Sequence, residues 1–501
     1  MKVCFVAKEA ESLGIECLSS FLKQNGHEVY LVYDPALFDD TIFRFGRFKK
    51  FFSYTAEAIE LICRGNPDVI CFSVLSDTLE WAYNVARKIK QRSQAPIIFG
   101  GIHPTSVPEI VLENTDVDFV IMGEGEYPLL ELVNALADGS ENLSIPNVCY
   151  RKNGQLVKNE VRPFIVDLDK LPFPDKDLFY DALPNIKKHY TIITSRGCFY
   201  DCTYCYASAI EELYRNKGKK VRRRSVENVI AELIWAKDKY AIKDVLFDDE
   251  IFTFDPQWLK QFASAYKREI GLPCFLWVHP NMVTEEVVGY LKSMNCYAVE
   301  MGVQSASQAL REKILNRFYS NQKVKDAIAM LKRNKISCIV DNIVGLPRET
   351  LTDVEDLVRF FNETRPDKIY VFYLRYFPRT KIIDIANLDA SLIRDIERNK
   401  AALPFTLQGN SLLLEKIKVI NKLLFTLLLS YILPRKIIGG ILNKKIYRYF
   451  PAFNPYNLLE TIPFVIGFFA RPFKKILPNR EYRTRYPYYI LRKFNNKVKF
   501  F

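Results

Sequence analysis

The chain has 501 residues, 49% of them apolar and 26% charged, which is too long for one ordinary core and excludes a disordered or fibrous chain. Its net charge of +13 is local: residues 411–501 hold 18 Lys and Arg against 3 Asp and Glu, so they carry +15 and residues 1–410 carry −2. The start of the chain does not read as a secretory signal, so a cytoplasmic, reducing setting is expected, where clustered cysteines indicate metal before disulfide.

Residues 1–140 alternate short apolar runs with helical patterns. Strands are predicted at 2–7, 28–33, 68–74, 96–101 and 118–123, which indicates an α/β fold with a doubly wound parallel sheet. Ligands of such sheets sit at the carboxyl ends of the strands. Two of those ends are glycine-rich, Gly100-Gly101-Ile102-His103-Pro104-Thr105 and Gly123-Glu124-Gly125-Glu126, and glycine lets backbone approach a bulky ligand; plain turns are the other reading. Residues 141–188 contain Pro146, Pro163, Pro172, Pro174 and Pro184 and read as a linker, with one hairpin at Asn153-Gly154.

Residues 189–385 alternate again, with strands predicted at 190–195, 243–248, 273–278, 297–302, 337–344 and 368–374. Six strand–helix units fit a partial (β/α)6 barrel, with its chemistry at the C-terminal ends of the strands. Directly after the first of these comes Cys198-Phe199-Tyr200-Asp201-Cys202-Thr203-Tyr204-Cys205. Three thiolates in one short loop can hold a four-iron, four-sulfur cluster and leave one iron open. A zinc knuckle needs a fourth ligand, for which His189 stands nine residues upstream. The cysteines scattered in apolar runs, such as Cys4, Cys71, Cys296 and Cys338, read as small buried hydrophobes.

This loop, with an aromatic residue before its last cysteine, resembles the radical S-adenosylmethionine (SAM) superfamily. The resemblance implies a [4Fe-4S] cluster on Cys198, Cys202 and Cys205 that cleaves SAM reductively, fed by an electron donor such as flavodoxin or ferredoxin. It also places SAM contacts at Tyr204, at Asp248, Asp249 and Glu250, at Gln304 and Ser305 in Gly302-Val303-Gln304-Ser305-Ala306, and at Ile343 and Gly345. Phe377-Pro378-Arg379-Thr380 resembles a Pro-Gly-Thr segment, with Arg379 in place of glycine. Taken singly, the acidic triplet could be a helix N-terminus, and Gln304 and Ser305 could cap a helix.

Residues 1–140 resemble the cobalamin-binding domain of one branch of that superfamily, which implies contacts from Ser12, Leu13, Gly14, Ser73, Gly100, Gly101, His103, Gly123, Glu124 and Gly125. Relatives carry Asp-x-His-x-x-Gly after the first strand; Glu9-Ala10-Glu11-Ser12-Leu13-Gly14 stands here, without the cobalt-ligating His. His103 could instead be bonded to its own surroundings. The expected function is a cobalamin-dependent methylation of an unactivated carbon of a small-molecule or lipid-like substrate. The alternatives are a radical cyclase or other rearranging enzyme, and a non-catalytic cobalamin- or membrane-binding protein.

The tail, 386–501, is predicted mainly helical. Its eleven-residue run Leu423–Leu433 is too short to cross a bilayer, and the run Ile462–Ala470 is shorter. Flanking basic clusters such as Lys444-Lys445 and Arg471 with Lys474-Lys475 suit the cytoplasmic face of an anionic membrane; the other reading is a helical extension packed on the barrel. No nucleic-acid motif is present.

Overall fold

A computed structural model describes residues 1–39, 46–400, 411–452 and 489. Five strands, β1 (Lys2–Lys8), β2 (Glu28–Asp34), β3 (Val69–Ser73), β4 (Ile97–Gly100) and β5 (Phe119–Ile121), run parallel in the order β2-β1-β3-β4-β5. Both faces are covered, which is why the strands read as unbroken apolar runs. Val3 and Phe5 pack with Ile15, Leu22 and Leu132, while Cys4 and Val6 pack with Ile59, Ile62, Val85 and Ile89. The chain leaves β1 in one direction to β2 and in the other to β3, so the crevice for a ligand opens where those two strands end.

The hairpin at Asn153-Gly154 forms, both residues having positive φ as a tight hairpin turn requires. It does not dangle in a linker. Its strands β6 (Val148–Lys152) and β7 (Gln155–Lys158) extend the first sheet antiparallel to β5, because Val148 and Cys149 are fully buried there.

The second sheet begins with β8 (His189–Ile192). A short antiparallel ribbon follows, β9 (Ser195–Arg196) with β10 (Arg222–Arg223). Then come β11 (Asp244–Phe247), β12 (Cys274–Val278), β13 (Cys296–Gln304), β14 (Ser337–Val344) and β15 (Lys368–Tyr373), all parallel, in the order β15-β14-β13-β12-β11-β8. β8 ends earlier than the predicted 195 because the chain turns at Thr194 to meet Asp249. Val299, Met301 and Val303 join the core beneath the helices, so Glu300, Gly302 and Gln304 face the concave interior. The same alternation puts Ile339, Asp341 and Ile343, then Lys368 and Tyr370, on that interior face.

The described part of the tail follows the second of the two sequence readings, a helical extension packed on the barrel. Helix Ser411–Leu429 lies against helix Leu351–Thr364, and Ile420, Leu423, Leu424 and Leu427 are buried in the barrel core together with Ile438 and Leu442 of helix Arg435–Asn443. The run Leu423–Leu433 therefore covers the outside of β15 rather than a membrane. Tyr431 Oη accepts a hydrogen bond from Ile369 N at 2.6 Å, and Tyr373 Oη donates to Asn421 Oδ1 at 2.7 Å. Among the described residues no helix is long and apolar enough to cross a membrane. Ile462–Ala470 and the basic cluster Arg471 to Lys475 lie outside the described residues.

Candidate cluster and cofactor site

Beyond β8 the chain is held by one carboxylate. Asp249, 2% exposed at the end of β11, accepts from Thr194 N at 3.1 Å, from Thr194 Oγ1 at 2.9 Å and from Ser195 Oγ. Gly197 follows at φ +89°, where an added Cβ would stand 2.2 Å from Lys220 O. Only glycine fits there, and it delivers Cys198 to the barrel mouth. The loop is then pinned at several points. Cys205 N donates to Cys202 O at 3.1 Å, Ser208 Oγ donates to Cys205 O at 2.8 Å, Thr203 Oγ1 donates to Ile314 O at 2.6 Å, and Asn316 Nδ2 donates to Asp201 O at 2.9 Å.

Cys202 is buried, and Cys198 and Cys205 are half-buried. Burial pushes the Cys198 thiol up to about 11 and the Cys205 thiol to about 12, so metal binding there releases protons. Each of the three thiolates would take a separate iron of a four-iron cluster, so they need not converge on one point. His189 opens β8 and donates Nδ1–H to Asp244 Oδ2 at 2.8 Å. It stands a full strand away from the loop, and the zinc alternative loses its fourth ligand.

The expected SAM contacts divide. Asp249 is turned inward as the anchor just described. Asp248 and Glu250 reach solvent, Glu250 accepting from Tyr206 Oη at 2.8 Å. Gln304 sits at φ 66° where the register between β13 and β14 shifts, a bulge that re-aims its side chain at the barrel mouth. Ser305 is buried, and its Oγ accepts from Ser307 N at 3.2 Å, a local turn ahead of helix Gln308–Lys313, whose N-cap is Ser307. Ile343 is on the interior face; Gly345, at φ +78°, donates its N–H to Glu349 Oε2 at 2.7 Å. Arg379, in place of glycine, keeps glycine's left-handed φ of 61° and pairs with Glu109 at 2.8 Å and Glu397 at 3.1 Å.

Two residues escaped the sequence reading. Arg317 is 7% exposed and has no ion-pair partner among the described residues; it donates to Gly302 O at 2.7 Å and lies 3.3 Å from Cys202 Sγ and 3.5 Å from Tyr204 Oη. A buried guanidinium without a carboxylate fits an anionic ligand, either the thiolate-bound cluster or the carboxylate of SAM. His279, at the end of β12, is 2% exposed and stacks on Tyr200 of the cysteine loop at 4.0 Å between centroids. Their one sequence signal was a lone charged or imidazole group among apolar and aromatic neighbours.

At the first sheet, Gly101 (φ +98°) has Val74 N and O each 2.9 Å from where a Cβ would be, a cradle that only glycine permits. His103, fully buried, bonds Ser76 Oγ through Nδ1 at 2.9 Å, burial pushes it down to about 4, and its Nε2 has no hydrogen-bond partner among the described residues. Ser12 caps helix Leu13–Gln24 through Ile15 N, and a Cβ added at Gly14 or Gly100 would meet only Ser12 Oγ or Ile121 O, each at 3.9 Å. Ser73 ends β3 half-buried, its Oγ 3.4 Å from where a Gly101 Cβ would be. Gly125 precedes helix Glu126–Ala137. Glu11, at the position of the missing His, is claimed by the fully buried Lys176, whose Nζ is 3.1 Å from Glu11 Oε1 and 2.8 Å from Glu16 Oε2. The cradle at Gly101 fits the close approach of a bulky ligand such as cobalamin, and Glu11 offers it no imidazole.

The two sites are tied together. Arg196, two residues before Cys198, pairs with Glu124 at 3.3 Å and Glu126 at 2.5 Å, and Arg222 pairs with Glu124 at 2.7 Å. Arg375, beyond β15, pairs with Asp77, beyond β3. The cysteine loop thus faces the strand ends of the first sheet.

Residues 5–133 match the B12 binding domain family model, and residues 192–361 match that of the radical SAM superfamily. An uncharacterized methyltransferase of Pyrococcus horikoshii is 28% identical over 75% of this chain and 78% of its own length. Cytidylyl-2-hydroxyethylphosphonate methyltransferase of Streptomyces wedmorensis is 24% identical over 63% of this chain and 66% of its own. The anaerobic magnesium-protoporphyrin IX monomethyl ester cyclase of Rubrivivax gelatinosus is 25% identical, and this chain spans 56% of its length. Among solved structures, the fold is similar to the radical SAM methyltransferase TsrM of Kitasatospora setae with tryptophan substrate and a SAM analogue bound, at TM-score 0.63 and 18% identity, covering 77% of this chain and 76% of that one. It is also similar to the cobalamin-dependent SAM radical enzyme OxsB, at TM-score 0.58 and 18% identity, covering 82% of this chain and 58% of that one.

Proposed function

Because the chain belongs to the radical SAM superfamily and carries a B12-binding domain, we propose that it is an enzyme that methylates an unactivated carbon of a polar small molecule. Its cofactors are a [4Fe-4S] cluster, SAM and cobalamin. When bound, the cluster and SAM supply a radical that removes hydrogen and cobalamin supplies the methyl group. The observation that carries the reading is the pairing of Arg196 with Glu124 and Glu126, because it fixes the cysteine loop against the strand ends that would receive cobalamin. A substrate placed between them is within reach of both chemistries.

The residues of the chain have distinct tasks in this reading. Cys198, Cys202 and Cys205 hold the cluster, Asp249 fixes the loop, and Arg317 neutralises negative charge beside it. Asp248, Glu250, Gln304 and Ile343 line the place for SAM. The interior beneath carries the carboxyls of Glu300 and Asp341, both pushed up by burial, and Lys368 hydrogen-bonded to Tyr370. Such a lining suits a polar substrate better than a lipid chain. An external one-electron donor such as flavodoxin or ferredoxin is required. The cyclase alternative and a non-catalytic binder have less support, since the named cyclase relative is spanned over 56% of its length and the cysteine loop is intact.

A place at a membrane surface is kept only for the outer corner of the tail. Ile432 and Tyr449 are 79% and 89% exposed, beside Arg435, Lys436, Lys444, Lys445 and Arg448, none of which is in an ion pair among the described residues. The test of function is anaerobic reconstitution, quantitation of iron and cobalt, and incubation of the holoenzyme with methyl-labelled SAM, a reductant and a small-molecule extract. Label in a carbon-bound methyl group is expected. Iron without cobalt, or SAM cleavage without label transfer, would sink the methyltransferase reading.

A further inference from the structure

Arg317 touches the cysteine loop, and its donors decide between the two anions it could serve. A guanidinium carries five N–H groups and keeps its charge at every ordinary pH. Arg317 Nη1 donates to Cys202 Sγ at 3.3 Å and to Tyr204 Oη at 3.5 Å. Nη2 donates to Gly302 O at 2.7 Å, and Nε donates to Tyr319 Oη at 3.2 Å. Tyr319 spends its own hydrogen on Val303 O at 2.6 Å, so its oxygen is left to accept. Four of the five N–H groups thus have acceptors inside the protein, and one, on Nη2, is left over. A carboxylate is gripped by two parallel N–H bonds, and Arg317 has no such pair to offer. The contact with sulfur is already made.

The head group is also fixed independently of the loop it touches. Gly302 and Val303 belong to β13. The segment that carries Arg317 is locked, its N–H donating to Arg311 O at 2.8 Å and Arg311 Nη2 donating to Tyr319 O at 2.8 Å. Arg317 is 7% exposed, and Cys202 is the buried one of the three loop thiols. A charge held there is poorly screened by water. A cluster takes Cys202 as thiolate, which makes the Arg317 bond a charge-assisted one. When the external donor delivers one electron, with no proton, negative charge beside the guanidinium increases. Hydrogen bonds to the sulfurs and nearby charge set the potential of such clusters.

We propose that Arg317 donates through Nη1 to the Cys202 thiolate and thereby raises the reduction potential of the bound cluster, rather than gripping the carboxylate of SAM. It is a positioning residue, not a ligand, and the inference rests on the cluster assignment in the proposed function. The test is a redox titration of the reconstituted full-length enzyme without SAM, followed by electron paramagnetic resonance, on wild type, R317K, R317Q and R317M. Lys keeps the charge and loses the fork, Gln keeps a shorter neutral donor, and Met keeps only the stem. R317Q and R317M should lower the ratio of reduced to oxidised cluster at a fixed potential about tenfold, a midpoint about 59 mV more negative for one electron. R317K should fall between them and wild type. The resonance counts only molecules that hold a cluster, so the midpoint is read at reduced occupancy. In wild type grown with nitrogen-labelled arginine, electron–nuclear double resonance of the reduced cluster should show a nitrogen coupling that R317K lacks. Full iron content with an unmoved midpoint in R317Q and R317M overturns the inference alone, and weaker SAM binding by those proteins would then give the guanidinium to the SAM carboxylate. If the neutral variants hold no cluster, the wild-type nitrogen coupling decides, and its absence overturns the inference. A wild type without a four-iron cluster overturns it together with the proposed function.

Discussion

Gly123 separates two explanations for a glycine at a strand end. The sequence suggests that glycine there admits a corrin; the structure puts Tyr214 against it. An added Cβ on Gly123 would stand 1.9 Å from Tyr214 Oη and 2.6 Å from its Cζ, at a backbone φ of +70°. Gly123→Ala therefore carries about 1 kcal/mol of left-handed strain and displaces Tyr214. Displacement breaks the bonds that Tyr214 Oη accepts from Glu124 N at 2.9 Å and Asn147 Nδ2 at 3.2 Å, and its stack on Phe164. Leaving buried groups unpaired costs about 1–3 kcal/mol, so the total loss is about 2–4 kcal/mol. Gly100→Ala is the control: the nearest atom to its Cβ is Ile121 O at 3.9 Å, so stability without cofactor should change by less than about 0.5 kcal/mol while ligand approach is crowded. The assay is denaturant unfolding of the cofactor-free chain, with retention of hydroxocobalamin through gel filtration measured in parallel. In a Tyr214→Ala background the cost of Gly123→Ala should fall to the strain alone. Wild-type stability of the cofactor-free Gly123→Ala protein would refute the packing argument and return this glycine to the ligand.

Cys198→Ala, Cys202→Ala and Cys205→Ala should each abolish cluster binding; full iron with SAM cleavage in any one of them removes the cluster assignment. Glu349 is 5% exposed, and burial pushes its carboxyl up to about 7 from the ordinary 4.5, so the folded state holds the proton more tightly than the unfolded one. Its contribution to stability is full below pH 4.5 and is lost as pH climbs to 7, by at most about 3 kcal/mol. Glu349→Gln should flatten that slope in denaturant midpoints taken from pH 5 to 8, and an unchanged slope contradicts the assignment. Full-length protein should sediment with anionic vesicles, less so at high salt, and Ile432→Asp combined with Lys436→Glu and Lys444→Glu should weaken this without touching the buried leucines; equal sedimentation of both proteins leaves that corner as a solvated surface.

The sheets were legible because parallel strands buried on both faces are unbroken apolar runs, and the cluster loop because three thiols in eight residues have few other uses. What escaped depends on contacts between distant parts of the chain. An acidic triplet does not reveal that its middle member, Asp249, turns inward to Thr194 and Ser195. Arg317 meets Cys202 only after the barrel brings residues 115 apart together. Ser12 caps a helix and Ser305 bonds Ser307 N, local bonds that a motif alone does not reveal. The tail was ambiguous in principle: a short leucine-rich run looks the same whether it faces lipid or covers a strand, and only the bare outer side of β15 decides.

That covering helix also orders events during synthesis. β15 is finished at Tyr373, but the leucines that shield its outer face do not exist until residues 420–442 have left the ribosome. In the interval the nascent barrel presents Ile369 and Val371 and the apolar side of helix Leu351–Thr364 to water, a sticky surface of the kind chaperones hold. A stop or a stalled ribosome between those positions leaves a chain that carries every cysteine of the loop and still cannot close its core. Such a product would be cleared or aggregate, so a shortened chain is not a smaller enzyme.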